Sequence, residues 1–324
     1  MFSNQQATAF APVNIALVKY WGKRNEELNL PMTSSLSISL ANYGATTSVQ
    51  IIDAPDDKVL LANKVVETND SFYLRVVKFL DLMRNMMSLG SIKFQIMTDS
   101  NLPIAAGLAS SASGFAALTL ALDKFFSWNL SLQDLSIIAR RGSGSASRSV
   151  YNGFAVWEAG TASDGSDSFA RPIYNSWPQL RMGLLIFNSS KKSISSTLAM
   201  RATVQNCPFY KLWPQIVNEH LQQMLQAINV HDFDTLGHIA ETNALYMHSL
   251  MQATIPPTIY SSAQTLSCIK KVWELRQEGL KVYFTQDAGP NLKLIYLDKD
   301  AEIIKQQFSS YEFIEVDVFK GLAR

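Results

Sequence analysis

Asn101-Leu-Pro-Ile-Ala-Ala-Gly-Leu-Ala-Ser-Ser-Ala-Ser-Gly114 is the stretch on which the fold turns. Upstream of it, residues 91–97 (SIKFQIM) alternate, with Ile92, Phe94 and Ile96 on one face, and this predicts a half-buried strand. Downstream, ASGFAALTLALDKFF places small residues first and bulky ones later, and this predicts a buried helix. Between them the chain passes through Pro103 and Gly107 and keeps its side chains small. Small side chains let backbone N–H groups approach a polyphosphate, and a helix N-terminus adds partial positive charge. Ser110 and Ser111 add hydroxyls that can reach phosphate oxygens or a Mg2+ ion. The spacing fits neither G-x-x-x-x-G-K-[ST] nor G-x-G-x-x-G, so the P-loop NTPase and Rossmann readings fail. A bland alternative stays open, in which small residues merely permit tight helix packing.

The chain of 324 residues is long enough for two domains, and 47% hydrophobic against 17% charged residues is globular composition. A net charge of +1 offers no general basic field for a nucleic-acid backbone, so an anionic ligand has to be met by local groups. Cys207 and Cys268 are too few for a disulfide framework or a thiolate metal site, and reduced cytosolic thiols are expected. Residues 1–10 lack a basic start followed by an apolar run, so no signal peptide is expected. No apolar run approaches a membrane span. A soluble, cytoplasmic protein is the expectation.

Residues 45–52 (ATTSVQII) read as a strand ending in the turn at Asp53–Asp57. Residues 71–87 place Leu74, Val77, Phe79, Leu82 and Met86 near helical spacing. Ser131, with Asp134 three residues on, predicts a capped helix over 132–141 that Gly142 stops. Residues 153–158 and 182–187 read as strands, with TASDGSDS between them a polar loop. Helical patterns then dominate, over 209–228, 232–251 and 258–277, before strands at 281–285 and 293–297. Strands with buried helices first, and long helices with few strands later, predict two α+β domains, 1–187 and 188–324.

Three further clusters carry chemistry. Ala11-Pro-Val-Asn-Ile-Ala-Leu-Val-Lys-Tyr-Trp-Gly-Lys23 sets Lys19 and Lys23 in an apolar segment with little opposite charge, which suits an anionic ligand, although two solvated lysines would also fit. Arg140-Arg-Gly-Ser-Gly-Ser-Ala-Ser-Arg-Ser149 can form a second backbone nest at a helix start, with Arg148 on the following turn. A guanidinium fork suits a carboxylate, against the alternative of a flexible serine-rich linker. Thr285-Gln-Asp-Ala-Gly-Pro-Asn291 takes Asp287 from a hydrophobic strand into a tight turn, which would hold its carboxylate still, although a plain turn would read the same. His220, His231, His238 and His248 lack metal-ligand spacing, and structural or surface roles are expected of them.

These motifs together resemble the GHMP kinase superfamily. Residues 103–112 match its P-x-x-x-G-L-[GSA]-S-S-A loop, and the A-A-G-L-A-S-S-A form looks like the branch of mevalonate diphosphate decarboxylases. Residues 11–23, Asn29-Leu-Pro-Met-Thr-Ser-Ser-Leu-Ser37, G-S-G-S-A-x-R-S and D-A-G-P-N are similar to that branch in the same order, from residue 11 to about residue 291. The chain departs from many relatives at Ser147, where cysteine is common, and at Ala199, where glycine often precedes the methionine.

The resemblance implies an α+β GHMP kinase fold, with an N-terminal ribosomal-protein-S5-domain-2-like domain and a C-terminal ferredoxin-like α/β sandwich. It implies ATP held by Pro103, Ala105, Ala106, Gly107, Leu108, Ala109, Ser110 and Ser111, with Ser111 also on Mg2+. Asp287, Lys19 and Arg148 take catalytic roles by the same resemblance, Asp287 against the substrate hydroxyl and Arg148 on the substrate carboxylate. Tyr20, Lys23, Arg75, Ser143, Ser145, Arg148 and Ser196 become substrate contacts, with Lys191-Lys-Ser-Ile-Ser-Ser-Thr197 a loop for the substrate diphosphate. The implied reaction converts mevalonate 5-diphosphate and ATP into isopentenyl diphosphate, ADP, phosphate and CO2 in the mevalonate route to isoprenoids. A homodimer with neither nucleic-acid nor membrane partners is implied too. Competing readings are a GHMP kinase that phosphorylates a small alcohol without decarboxylation, a decarboxylase of the monophosphate, and a non-catalytic sensor on this fold.

Overall fold

The computed structural model describes residues 5–102, 110–187 and 194–320. The N-terminal segment, for which no strand was expected, forms β1 (Gln6–Val18). A small hairpin of β2 (Lys23–Asn25) and β3 (Leu30–Pro31) leads to β4 (Ser35–Ile52), far longer than the strand predicted over its last eight residues. There follow β5 (Lys58–Leu61), β6 (Lys64–Val65), α1 (Ser71–Met86), β7 (Lys93–Ser100), α2 (Ser110–Phe126) and α3 (Leu132–Gly142). A 3-10 turn at Gly144–Arg148, β8 (Phe154–Trp157) and β9 (Ala170–Ile173) complete the first sheet region. The second comprises β10 (Leu180–Ile186), α4 (Ser196–Asn206), α5 (Trp213–Val230), α6 (Phe233–Gln252), α7 (Ala263–Gln277), β11 (Val282–Gln286), β12 (Leu292–Leu297), α8 (Ala301–Gln307) and β13 (Glu312–Asp317).

The α+β organisation is the one expected. In the first sheet the order is β6-β5-β7-β4-β8-β9, with β1 paired along β4. Only the β5–β7 pair is parallel among the described strands. The second sheet runs β11-β12-β10-β13, all antiparallel. Leu180–Ile186, on the N-terminal side of residue 187, therefore pairs within the second sheet.

β1 is buried along its whole second half because both of its faces are covered. One face of the first sheet packs on α1 and α2 through Val49, Phe94, Phe79, Phe115 and Leu122. The other packs on α5 and α6, where Ile15, Leu17, Leu36 and Ile38 share one core with Trp213, Leu221, Leu236 and Met247. That second core runs on to Tyr283 and Ile295 of the second sheet, so the two lobes are welded by apolar burial. Register shifts between Pro12 and Asn14 and between Ala16 and Val18 break the β1 ladder where its polar residues begin. Such bulges re-aim side chains, and Asn14 and Lys19 follow them.

Several local expectations need correction. The buried face of α1 is Tyr73, Val76, Phe79, Leu80 and Met83, whereas Leu74 and Met86 face solvent. The helix expected from 258 starts only at Ala263, where Ser262 and Thr265 form a capping box that fixes its first turn. The helix expected from 209 begins as a 3-10 turn, Tyr210–Leu212. Ser196 and Thr197 open α4, capped by Ser195, rather than closing a loop. Ser131 caps α3 as read, accepting from the Asp134 N–H, and Gly142 is the last helical residue with Ser143 after it.

Candidate active site

A cleft of about 870 Å³ lies between the lobes, and the sequence motifs converge on it. Lys19, Tyr20, Lys23, Arg75, Ser111, Ser143, Ser145, Arg148, Ser196 and Asp287 all line it. Of the ATP-loop residues, Pro103, Ala105, Ala106, Gly107, Leu108 and Ala109 lie outside the described residues, as do Lys191 and Lys192. Ser110 is the first residue of α2.

At the floor of the cleft Asp287 leaves β11 and enters a turn that other groups immobilise. The Gly289 N–H donates to the Asp287 carbonyl at 2.7 Å, and His248 Nε2 sits 3.1 Å from the same oxygen. Gln286 Nε2 donates to the Gly289 carbonyl at 2.9 Å, and Thr265 Oγ1 to that of Pro290 at 2.7 Å. The carboxylate faces two ammonium groups: Lys19 Nζ lies 2.8 Å from Oδ1, and Lys293 Nζ lies 3.0 Å from Oδ2. Both lysines are 2–3% exposed, while the Asp287 side chain is 33% exposed toward the cleft. Burial alone would push this carboxyl up; the Lys19 and Lys293 charges outweigh it and hold the group well below the usual carboxylate range.

Lys19 comes from the end of β1 in the other lobe. Its N–H donates to Asn243 Oδ1 of α6 at 2.7 Å and its Nζ to the Ala16 carbonyl at 2.8 Å. Burial lowers its pKa to about 8, with Lys293 and Arg148 adding repulsion and Asp287 opposing them. Burial likewise lowers His248 to about 4, so its ring is neutral near pH 7. A structural or surface role was expected of His248, and no role was given to Lys293. Lys293 is the one charged residue of the otherwise apolar and buried strand Leu292–Leu297, and that lone cation was the available signal.

Arg148 is the last residue of the 3-10 turn, rather than standing on a turn after a helix start. It is 3% exposed. Nε and Nη2 donate to Asn14 Oδ1 at 3.3 and 3.2 Å, and Nη1 donates to Ser35 Oγ. Asn14 Nδ2 in turn donates to the Ser145 carbonyl at 3.1 Å and to Ser149 Oγ at 2.7 Å, which ties the G-S-G-S turn to β1. Among the described residues three of the five guanidinium N–H groups are used, leaving one on each Nη. Asn14 and Ser35 are thus supporting groups that the motif reading left without a role.

Above this floor the remaining contacts are spread along the cleft. The Tyr20 hydroxyl is buried with no hydrogen-bond partner among the described residues, its ring edge-on to Trp157 at 4.7 Å. A Cβ at Gly144 would come within 2.9 Å of that hydroxyl, so the close approach requires glycine. Lys23 Nζ donates to Asn29 Oδ1 at 2.7 Å. Arg75 is exposed on α1, over the Phe115 ring at 5.2 Å. Ser111 Oγ, in the first turn of α2, lies 3.4 Å from Ser143 Oγ. Two neighbouring neutral hydroxyls fit a hard cation that takes its remaining ligands from phosphate oxygens and water. Among the described residues no cluster of three or more His, Cys, Asp or Glu could hold a metal ion by itself.

Two family models match: "Diphosphomevalonate decarboxylase-like N-terminal domain" over residues 11–170 and "Mevalonate 5-diphosphate decarboxylase C-terminal domain" over residues 182–319. The chain is 36% identical to the Homo sapiens diphosphomevalonate decarboxylase over 309 residues, covering 90% of this chain and 76% of that one. A crystal structure of the Staphylococcus aureus mevalonate diphosphate decarboxylase superposes with a TM-score of 0.91 at 35% identity, covering 97% and 96% of the two chains. A structure of MDDEF in complex with MVAPP, AMPPCP and magnesium superposes with a TM-score of 0.89 at 38% identity, covering 96% and 95%.

Proposed function

Since the chain belongs to the diphosphomevalonate decarboxylase family and carries its two-domain GHMP kinase fold, we propose that the cleft is where ATP drives decarboxylation of mevalonate 5-diphosphate to isopentenyl diphosphate. The observation that carries the site assignment is the Lys19–Asp287 pair facing Arg148 inside one cleft. A plain kinase needs no carboxylate grip.

The tertiary hydroxyl at C3 is a poor leaving group, and transfer of the ATP γ-phosphoryl makes it a good one. When phosphate departs, the electrons of the bond to the carboxylate carbon form the new double bond and CO2 leaves. Phosphoryl transfer is mostly positioning and charge neutralisation. Pro103, Ala105, Ala106, Gly107, Leu108, Ala109, Ser110 and Ser111 are assigned to the ATP phosphates, an assignment supported by α2 opening at Ser110 and by Ser111 lining the cleft. Ser111 and Ser143 would hold Mg2+ together with phosphate oxygens; when bound, the ion offsets charge on the transferring group.

Asp287, pinned and strongly acidic, is a weak base toward an alcohol. Its first task is to orient the C3 hydroxyl, taking the proton only as the new P–O bond forms. Lys19 keeps Asp287 ionised and screens the developing oxyanion. Arg148, itself almost fully buried, offers its two free N–H groups to the substrate carboxylate. Tyr20, Lys23, Arg75, Ser143, Ser145 and Ser196 are assigned to substrate contacts, with Ser145 a candidate for the distal diphosphate, supported by their all lining the cleft. We place the domain division between β9 and β10 rather than at residue 187, because β10 pairs in the second sheet.

A homodimer is part of the same reading. So is a cytoplasmic location, in keeping with two unpaired buried cysteines; no described helix is long and apolar enough to cross a membrane. The test is release of CO2 with ATP and either the mono- or the diphosphate of mevalonate. One CO2 per ADP with the diphosphate is expected, while ADP without CO2 would mark a plain kinase. Arg148→Ala should lower turnover by about 10²-fold; normal turnover would remove Arg148 from the mechanism.

A further inference from the structure

We propose that Lys293 is a positioning residue of this site: it holds Oδ2 of Asp287 while Lys19 holds Oδ1, fixing the plane in which the carboxylate meets the substrate hydroxyl. Lys293 can act in this way only if Asp287 faces that hydroxyl, so the proposal rests on the role given to Asp287.

A carboxylate held through one oxygen keeps a soft torsion at its Cβ–Cγ bond, because terminal sp3–sp2 torsions are broad. A second ammonium on the other oxygen removes that freedom. The two clamps also come from different lobes. Lys19 stands at the end of β1, fixed by the Ala16 carbonyl and by Asn243. Lys293 stands on β12, flanked in its sheet by β11 and β10, and its Nζ also donates to the Asn291 carbonyl at 3.3 Å. The carboxylate is therefore registered against both lobes at once, and release of either clamp loosens the aim at the reacting oxygen.

Lys293 has a second effect through charge. The groups facing Asp287 and Lys19 are Lys293 from β12, Arg148 from the 3-10 turn and His248 from α6. Asp287 is the one anion among the described residues acting on Lys19. Lys293 repels the Lys19 ammonium and so helps keep its pKa near 8. Removal of Lys293 lets Lys19 stay protonated to higher pH.

The experiment compares Lys293→Met and Lys293→Gln with wild type and Asp287→Asn in the full chain, reading CO2 and ADP release with ATP and mevalonate diphosphate from about pH 6 to about pH 10. Lys293→Met should lower kcat by about ten- to a hundredfold, the scale of a misplaced reacting group, with the KM for ATP unchanged. Lys293→Gln keeps a donor for Oδ2 without the charge, so its loss in kcat should be smaller. In both variants the alkaline limb should move to higher pH, a change that structural damage alone would not produce. Should Lys293→Met fail to fold, the limb of Lys293→Gln decides the matter. Wild-type kcat, or a loss with the limb unmoved, overturns the proposal. If Asp287→Asn is crippled while Lys293→Met behaves as wild type, Lys293 alone falls; if Asp287→Asn stays active, the role of Asp287 falls first.

Discussion

Asp57, just before β5, and Asp287, just after β11, are both paired with buried cations, and they are built for opposite ends. The Asp57 side chain is 1% exposed and is matched by Arg84, with the Phe94 N–H on the same oxygen at 2.8 Å. Arg84 also donates to the exposed Asp81 and to the Ile92 carbonyl, so its bonds go to groups of its own lobe. Asp287 is 33% exposed and faces three cations, Lys19, Lys293 and Arg148. Taking charges out of water is expensive unless each finds a partner, and the second cluster leaves positive charge unmatched. A sealed and balanced pair holds a fold together. An open and unbalanced one is completed by an anion, and a substrate carrying a carboxylate and phosphates is such an anion.

The contrast can be broken in order of expected effect. Lys19→Met should lower kcat by about 10²–10³-fold, the usual cost of losing one preorganised donor, while the protein stays folded by circular dichroism. Arg84→Met should do the reverse. Breaking a buried pair from one side costs about 3–5 kcal/mol, so denaturant unfolding should show a large loss with kcat retained at low temperature.

The pH dependence separates the two effects within one residue. The folded pKa of Lys19, about 8, lies below its ordinary 10.5. Activity that needs the ammonium should fall as pH rises through about 8. Between about 8 and 10.5 the unfolded chain holds a proton that the native state lacks, so the contribution of this group to stability rises with pH. A pH–rate profile, set beside denaturation of wild type and Lys19→Met, reads both. At the small end, Lys281→Ala removes an ion pair to Asp234 that is 50% and 45% exposed. It should leave Tm and kcat at wild-type values.

Legibility in the sequence followed the same divide. The α2 helix, the Ser131 cap and the alternating β7 were readable because each rests on local signals of period or capping. The β1 strand was not, because burial on both faces erases alternation and Pro12 interrupts the run. The inward face of α1 was misread because large apolar residues such as Leu74 and Met86 stand on its solvent side. At the site, Lys19, Arg148 and Asp287 were legible through motif resemblance, and the cleft gathers them from residues 19, 148 and 287. Lys293 and His248 act through contacts made only in three dimensions, and neither falls inside a quoted motif. Asn14 lay inside a quoted motif, yet its bond to Arg148 spans 134 residues, beyond the reach of any local pattern.

The central claim is that the clamped carboxylate of Asp287 is the reacting centre of an ATP-driven decarboxylation. Asp287→Asn keeps the shape and removes the charge, so CO2 and ADP release from mevalonate diphosphate and ATP tests it most directly. The account predicts a fall in both products together by about 10²-fold or more, with the wild type giving one CO2 per ADP. Turnover within about tenfold of wild type would contradict it.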